Sequence, residues 1–207
     1  MYKYFFKRLF DFFISLVVLL CLSPLLLIIT IWLHFANKGA GVFFCQSRPG
    51  KNGKIFKIIK YKSMTDERDE HGNFLPDVQR LTSVGRFIRA TSIDELPQFI
   101  NVLMGDMALI GPRTLLTEYL HYYKEREKLR HVVRPGITGY TQVHGRNNLS
   151  WDERLEMDVY YVEHLSLCLD IKIVLRTVVN VITRKDVQVI TGDQVTSKLS
   201  QQRQICK

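Results

Sequence analysis

The hydrophobic residues of the chain are concentrated in one run near its N-terminus, residues 12–35. The positions that interrupt this run are Ser15, Cys21, Ser23, Pro24, Thr30 and His34. At ~1.5 Å per residue, a helix of this length matches the ~30 Å hydrocarbon layer of a bilayer. The pattern therefore predicts a membrane helix, and the run is too long for the apolar region of a cleavable signal peptide.

Two features of this segment bear on how it enters the membrane. Basic residues flank it on both sides: Lys3, Lys7 and Arg8 before it, and Lys38, Arg48, Lys51, Lys54, Lys57, Lys60 and Lys62 after it. Because Lys and Arg accumulate on the cytoplasmic side of membrane helices, both ends are predicted to be cytoplasmic. Pro24 in the middle of the run favours a kink. A single transmembrane helix is one interpretation, but we favour a re-entrant helix-break-helix in an anchoring segment of residues 1–36.

Two short runs of β-type residues follow, at 41–44 and 54–61. They flank residues 48–53, which are rich in turn formers, and this arrangement predicts a β-hairpin. The polar residues 65–80 are predicted to form a loop.

The pattern after this loop is mostly helical. We predict helices at 81–110 (in two pieces, ending at Gly111-Pro112), 115–129, 150–163 and 171–182, and a turn-rich loop at 134–139. Ser150 and Glu153 have the spacing of a capping box. The helix at 171–182 either packs on the core or lies on the membrane surface. We therefore expect one domain of residues 37–190 at the cytoplasmic face, followed by a polar, disordered tail of residues 191–207.

Composition and charge narrow the class of partner. At 207 residues the chain can bury a core without disulfides or structural metal, and its four cysteines lack CxxC or zinc-ligand spacing, so reduced thiols are expected. The formal net charge of +9 indicates an anionic partner. No nucleic-acid partner is expected because the sequence contains no RNP-like motif, zinc finger or basic heptad. The apolar segment favours lipid headgroups and phosphorylated substrates instead.

Residues 89–98 (RATSIDELPQ) carry the most informative chemical pattern. One interpretation is structural, because Ser92 and Glu95 have capping-box spacing and acids suit a helix N-terminus. Pro97, however, distorts a helix at this point, and an adjacent Asp94-Glu95 pair can then direct both carboxylates into one site. Such carboxylates hold Mg²⁺ together with substrate phosphates, and a carboxylate can also attack phosphorus to form an acyl-phosphate.

Phosphoryl chemistry also needs positive charge around the transferred group. The candidate cations are Lys60, Lys62, Arg86, Arg89, Arg113 and Arg134. Each alone is more often a solvated surface charge, but Arg113 and Arg134 adjoin prolines, whose fixed backbone can orient a guanidinium for phosphate binding. The chain has neither GxxxxGK[ST] nor GxGxxG, so a P-loop or Rossmann nucleotide site is not expected.

A series of motifs occurs in order over residues 1–190. They are FKRLFD at 6–11, Ser23-Pro24, RPG at 48–50, KIFKI at 54–58, KYKSM at 60–64, SIDELPQ at 92–98, NVLMGDM at 101–107, GPR at 111–113, VRPGITG at 133–139 and DVYY at 158–161. With these motifs the chain resembles the monotopic phosphoglycosyl transferases, a family of bacterial sugar transferases. Within that family it is most similar to the short forms that initiate bacterial protein N-glycosylation.

The resemblance implies a mostly helical α+β fold with a small β-hairpin and a re-entrant N-terminal membrane segment. It implies a monotopic protein on the cytoplasmic face of the bacterial inner membrane. The implied reaction transfers a sugar-1-phosphate from a UDP-sugar to polyprenyl phosphate and releases UMP. The sugar, the pathway and the oligomeric state stay open, a homodimer included.

The resemblance also assigns roles to residues. Asp94 would be the nucleophile that forms a covalent phosphosugar intermediate, and Glu95 would complete the dyad and, with Asp94, place Mg²⁺. Arg113 would bind phosphate, with Lys60 and Arg89 as neighbouring cationic contacts; Arg134 is added as a substrate-binding candidate from its proline neighbour.

One departure from the family pattern concerns Arg113. The family usually has Gly-Pro-Arg-Pro, whereas here Thr114 follows the arginine, which loosens the backbone constraint on Arg113. A second functional class also fits the bulk properties: a non-catalytic, membrane-anchored basic protein that binds anionic lipid or an assembly partner. The Asp94-Glu95 dyad separates the two, because a binding protein does not need it. The multi-span class of phosphoglycosyl transferases is excluded, since only one long apolar segment exists.

Overall fold

The computed structural model describes residues 2–145, 149–183 and 199–204. The α-helices are α1 (Lys7–Ala36), α2 (Asp77–Arg80), α3 (Ser83–Ala90), α4 (Gln98–Met104), α5 (Tyr140–His144), α6 (Trp151–Glu163), α7 (Leu167–Ile182) and α8 (Leu199–Gln204). The strands are β1 (Phe43–Pro49), β2 (Ile55–Tyr61), β3 (Ala108–Ile110) and β4 (Gly136–Thr138). The mostly helical α+β organisation predicted from the sequence is confirmed.

The predicted apolar N-terminal helix is present as α1. In the described part of the chain it is the one helix long and apolar enough to cross a membrane. It continues through Pro24 as a single helix of 30 residues, so the predicted separation into two helices does not appear. A proline inside a helix removes one backbone donor, and the turns on both sides of Pro24 keep their own hydrogen bonds.

Both ends of α1 pack on the folded part of the chain. Near its start, Lys7 forms an ion pair of 2.8 Å with Asp170 of α7. Near its end, Ile29 and Leu33 are buried in a cluster with Tyr61 of β2 and residues of α3. The other face of α1 is exposed and apolar over its whole length, including Phe13, Val17, Leu20, Leu27, Ile28, Ile31, Trp32 and Phe35.

The predicted hairpin is confirmed by β1 and β2, which pair antiparallel with Phe43 opposite Tyr61 and Pro49 opposite Ile55. The turn between them is the 3₁₀ segment Lys51–Gly53. Phe56 and Ile58 of β2 are buried against Val102 of α4. The hairpin therefore supplies the surface against which α4 is fixed.

The prediction for residues 108–110 and 136–138 is corrected. These residues, predicted as the end of a helix and part of a loop, form the parallel pair β3 and β4. The close approach needs glycine, because a Cβ on Gly136 would lie 2.1 Å from the backbone nitrogen of Gly111. Local periodicity misses this sheet because its two strands are far apart in sequence.

The predicted helix at 115–129 is also wrong. The chain instead forms two 3₁₀ segments, Thr117–Tyr122 and Arg126–Val132, separated by an extended Tyr123. The side chain of Glu127 accepts a hydrogen bond of 2.7 Å from the backbone N–H of Lys124. That contact takes a donor which an α-helix would use for its own ladder, so the helical pattern of the sequence does not produce an α-helix.

The C-terminal helices complete the core. The capping box predicted between Ser150 and Glu153 is present at the start of α6. One face of α7 packs on the core through Ile173 and Leu169, as one of the two interpretations predicted, and its opposite apolar face is exposed. Part of the predicted disordered tail forms α8, where Arg203 pairs with Glu127 at 2.7 Å; the rest of that tail lies outside the described residues.

Candidate active site

Asp94 and Glu95 lie on a short 3₁₀ turn, Ile93–Glu95, between α3 and α4. Ser92 precedes the turn in the left-handed conformation (φ 57°), and Pro97 stands at the N-cap of α4 rather than inside a helix. Within the described residues Ser92 makes no side-chain capping bond, so the structural interpretation of a capping box is not what places Glu95. The turn presents the two carboxylates side by side, half-buried.

Glu95 is held by cations from two other parts of the chain. Lys60, on β2, donates a hydrogen bond of 2.6 Å from its Nζ to Oε1 of Glu95. Arg113, which follows β3, brings its Nη2 to 3.7 Å from the same oxygen. The structure thus joins three of the residues predicted from sequence, and Arg113 remains about half exposed, with donors available to a ligand.

Asp94 has an unusual protonation equilibrium. Burial is the main cause that raises its pKa to about 6, and the neighbouring Glu95 carboxylate adds to the shift; Lys60 and Arg89 oppose it. A carboxyl group with this pKa is mostly ionised at neutral pH. Because it is poorly solvated and close to cations, its oxygens are suited to attack an electrophilic phosphorus.

Arg89 is positioned by a close contact between α3 and the segment after β2. Its Nε donates to the hydroxyl of Ser63 at 2.8 Å. The contact depends on Gly85, since a Cβ there would lie 1.8 Å from the carbonyl oxygen of Ser63. The sequence identified Arg89, but gave no indication that Gly85 and Ser63 hold it.

Arg113 is held from behind by a buried group that the sequence did not single out. Arg130 donates from Nη2 to the carbonyl oxygen of Arg113 at 2.6 Å, and also forms a buried ion pair with Asp158 at 2.7 Å. Thr141 donates to the second oxygen of Asp158 at 2.7 Å. These contacts constrain the backbone of Arg113 even though a threonine, Thr114, and not a proline follows it.

Arg134 lies apart from this cluster. Its Nε donates to the carbonyl oxygen of Gly105 at 2.7 Å. Arg8 donates to the carbonyl oxygens of Val102 and Leu103 at the same helix end. In its described contacts, therefore, Arg134 donates to a carbonyl oxygen at the C-terminus of α4, where positive charge is favourable.

The dyad fits a divalent cation of the hard, oxygen-preferring type. Burial and, after it, the charge of Glu95 raise the pKa of Asp94, and a cation between the two carboxylates would relieve the repulsive part of that shift. Among the described residues no group of three or more His, Cys, Asp and Glu side chains is arranged to hold a metal by itself. A Mg²⁺ ion held by these two carboxylates would take its remaining ligands from substrate phosphates and water.

The exposed apolar helix α1 fits a membrane-associated protein, and the cluster of Glu95 with Lys60 and Arg113 beside Asp94 is its candidate site. The model of the bacterial sugar transferase family matches residues 2–184, so the chain belongs to that family. It is 50% identical over 182 residues to an uncharacterized sugar transferase of Bacillus subtilis, covering 88% of this chain and 90% of that one.

Other relatives carry more specific names. One is the UDP-glucose:undecaprenyl-phosphate glucose-1-phosphate transferase of Klebsiella pneumoniae, 39% identical over 84% of this chain. Another is the UDP-N-acetylgalactosamine-undecaprenyl-phosphate N-acetylgalactosaminephosphotransferase of Aeromonas hydrophila, 40% identical over 86% of this chain. The chain spans only 39% and 44% of these two relatives.

Proposed function

We propose that the protein transfers a sugar-1-phosphate from a UDP-sugar to undecaprenyl or another polyprenyl phosphate and releases UMP. The observation that carries the proposal is the half-buried Asp94 next to Glu95. Lys60 and Arg113 both contact the carboxylate of Glu95. The names of the relatives from Klebsiella pneumoniae and Aeromonas hydrophila agree with this reaction.

The reaction proceeds in two steps. In the first, a carboxylate oxygen of Asp94 attacks the phosphorus attached to the sugar, and the bond from that phosphorus to the oxygen of UMP breaks. In the second, a phosphate oxygen of the polyprenyl phosphate attacks the same phosphorus, which frees the Asp94 carboxylate and yields the diphosphate-linked sugar. Splitting the transfer in this way replaces one difficult step by two easier ones.

The surrounding groups bind and stabilise charge. Arg113 donates to the phosphate oxygens, and Lys60 orients Glu95 beside Asp94 through its ion pair. Asp94 and Glu95 would hold Mg²⁺, which supplies charge neutralisation for the diphosphate. Arg89 contributes positive charge near Asp94.

We further propose that the protein is monotopic on the cytoplasmic face of the inner membrane. A straight helix of 30 residues is ~45 Å long, so a transmembrane α1 would separate its ends by the thickness of a bilayer. Lys7 and Leu33 instead contact one folded unit, through Asp170 and Tyr61 respectively. A re-entrant or in-plane course of α1 accommodates both contacts and leaves the apolar face in lipid.

The experiment is acceptor-dependent UMP release by the protein in lipid nanodiscs with Mg²⁺. The donor panel contains UDP-glucose, UDP-galactose and their N-acetylated and deoxy-diamino derivatives. We expect one donor to support release, and we expect the protein to gain the mass of that sugar phosphate when acceptor is omitted.

Asp94→Asn should abolish both signals, whereas Glu70→Gln, at an exposed acid of the 65–80 loop, should preserve them. Release that survives Asp94→Asn would exclude the covalent step but not the transfer. A folded protein that releases no UMP with any donor would favour the non-catalytic lipid-binding alternative.

A further inference from the structure

A groove of about 320 Å³ lies between the start of α1 and α7, with β3 at its floor. Its walls are the apolar side chains Phe10, Ile14, Leu167, Ile171 and Val174, and its floor includes Ile110. This volume is within the ~300–1,000 Å³ range of sites that bind small molecules. The groove is separate from the residues of the Asp94-Glu95 cluster.

The polar groups beside the groove are already paired with one another. Lys7 and Tyr2 both donate to one oxygen of Asp170, at 2.8 Å and 2.6 Å, and Tyr161 donates to the other at 2.7 Å. Asp11 accepts from the backbone N–H of Leu109 at 3.1 Å. These polar groups are thus engaged with the protein, and the surface left for a ligand in the groove is hydrocarbon.

The groove opens toward the surface that α1 and α7 leave uncovered. Ile14, Ile171 and Leu175 are each about half exposed or more. In a protein bound to a membrane through these two helices, the opening faces the acyl region of the leaflet. An apolar chain can then enter from the lipid without crossing water.

The floor of the groove is close along the chain to one residue of the candidate active site. Its floor residue Ile110 is three positions before Arg113, so their Cα atoms are at most ~11 Å apart. Arg113 in turn lies beside Glu95. A ligand with an anionic head at Arg113 and a hydrocarbon tail fits this arrangement of charge and apolar surface.

We propose that the α1–α7 groove binds the first isoprene units of the polyprenyl phosphate acceptor, with the acceptor phosphate directed toward Arg113. This inference rests on the proposed function. It assigns the acceptor tail to α1, β3 and α7, so that the membrane anchor also forms part of the acceptor site.

The test is Val174→Trp, which fills the groove, compared with Val179→Trp on the exposed face of α7 outside it. Each variant is assayed in nanodiscs for two steps: UMP release with donor alone, and transfer to undecaprenyl phosphate. We expect Val174→Trp to raise the KM for the acceptor by about tenfold or more. The indole ring would displace part of the acceptor's hydrocarbon tail from the groove, and each displaced methylene group loses the free energy of its burial. Donor-only UMP release should stay at the wild-type level, and Val179→Trp should change neither step.

A short acceptor provides a second arm. Geranyl phosphate fills less of the groove, so the ratio of KM values between Val174→Trp and wild type should be smaller for it than for undecaprenyl phosphate.

Equal KM values in Val174→Trp and wild type would overturn the groove assignment while donor-only release still supports the proposed function. Loss of a co-purified phospholipid from Val174→Trp with unchanged acceptor kinetics would assign the groove to an acyl chain instead. A wild type that shows neither donor-only release nor transfer to undecaprenyl phosphate would overturn both proposals.

Discussion

Arg113 reaches Glu95 because its backbone is fixed by a residue that never touches the dyad. Arg130 is buried and divides its donors between the carbonyl oxygen of Arg113 and the carboxylate of Asp158. When one partner of such a buried ion pair loses its charge, the folded protein is strongly destabilised, because the other charge stays buried without compensation. The pair therefore links the stability of the fold to the position of Arg113, the arginine that we propose binds phosphate.

We expect Asp158→Asn to lower the free energy of unfolding by about 3–5 kcal/mol and to raise the KM for the UDP-sugar. The matched control is Glu156→Gln on the same helix, which removes an exposed partner of Arg126 and should cost about 1 kcal/mol or less. Thermal unfolding in detergent and donor kinetics measure the two effects. Equal costs for the two variants would show that the buried pair does not hold the site.

At the scale of elements, the site depends on how closely α3 approaches the segment after β2. The Arg89–Ser63 contact exists because Gly85 has no side chain to separate the two backbones. α3, the Ile93–Glu95 turn and α4 follow one another directly, so a shift of α3 moves the dyad.

Gly85→Ala should lower the free energy of unfolding by about 1–3 kcal/mol, since the new methyl group must displace the Ser63 carbonyl. It should also reduce donor-only UMP release, because Arg89 and the dyad move with α3. Ser83→Ala, an exposed position on the same helix, is the control and should retain release. Wild-type stability and release in Gly85→Ala would contradict the close approach of α3.

The elements also show where local patterns suffice. The hairpin and the α6 capping box follow from turn residues and from the spacing of Ser150 and Glu153, and both are confirmed. The segment at 115–129 has helical spacing, but Glu127 and Arg203 satisfy its backbone from the side. Its conformation therefore depends in part on Arg203, a partner that is distant in sequence.

At the scale of the whole molecule, the exposed apolar faces of α1 and α7 belong to one protein surface, joined by the Lys7–Asp170 ion pair. A hydrocarbon surface of this extent is stable in lipid and not in water. The contacts at both ends of α1 make a prediction about topology that hydropathy does not make.

We expect both ends of α1 to lie on the side of the membrane that holds the folded domain. Single cysteines at Lys3, Lys38 and Glu70 in a background without native cysteines should all react with an impermeant maleimide in inside-out vesicles, and none in right-side-out vesicles. The cysteine at Glu70 marks the side of the domain. Reaction of the Lys3 and Lys38 positions from opposite sides would establish a transmembrane helix and contradict the monotopic proposal.

The sequence by itself determined the apolar helix, the hairpin, the adjacency of Asp94 and Glu95 and the sugar transferase family, because each depends on residues that are close along the chain or on motifs in a fixed order. Only the tertiary structure decided that Lys60 and Arg113 meet at Glu95, that Arg134 serves the end of α4 instead, and that Arg130 holds Arg113. These outcomes depend on which distant segments pack together. The parallel pairing of β3 with β4, for example, brings Arg113 against Gly136. The periodicity of nearby residues does not predict a pairing between segments this far apart in sequence.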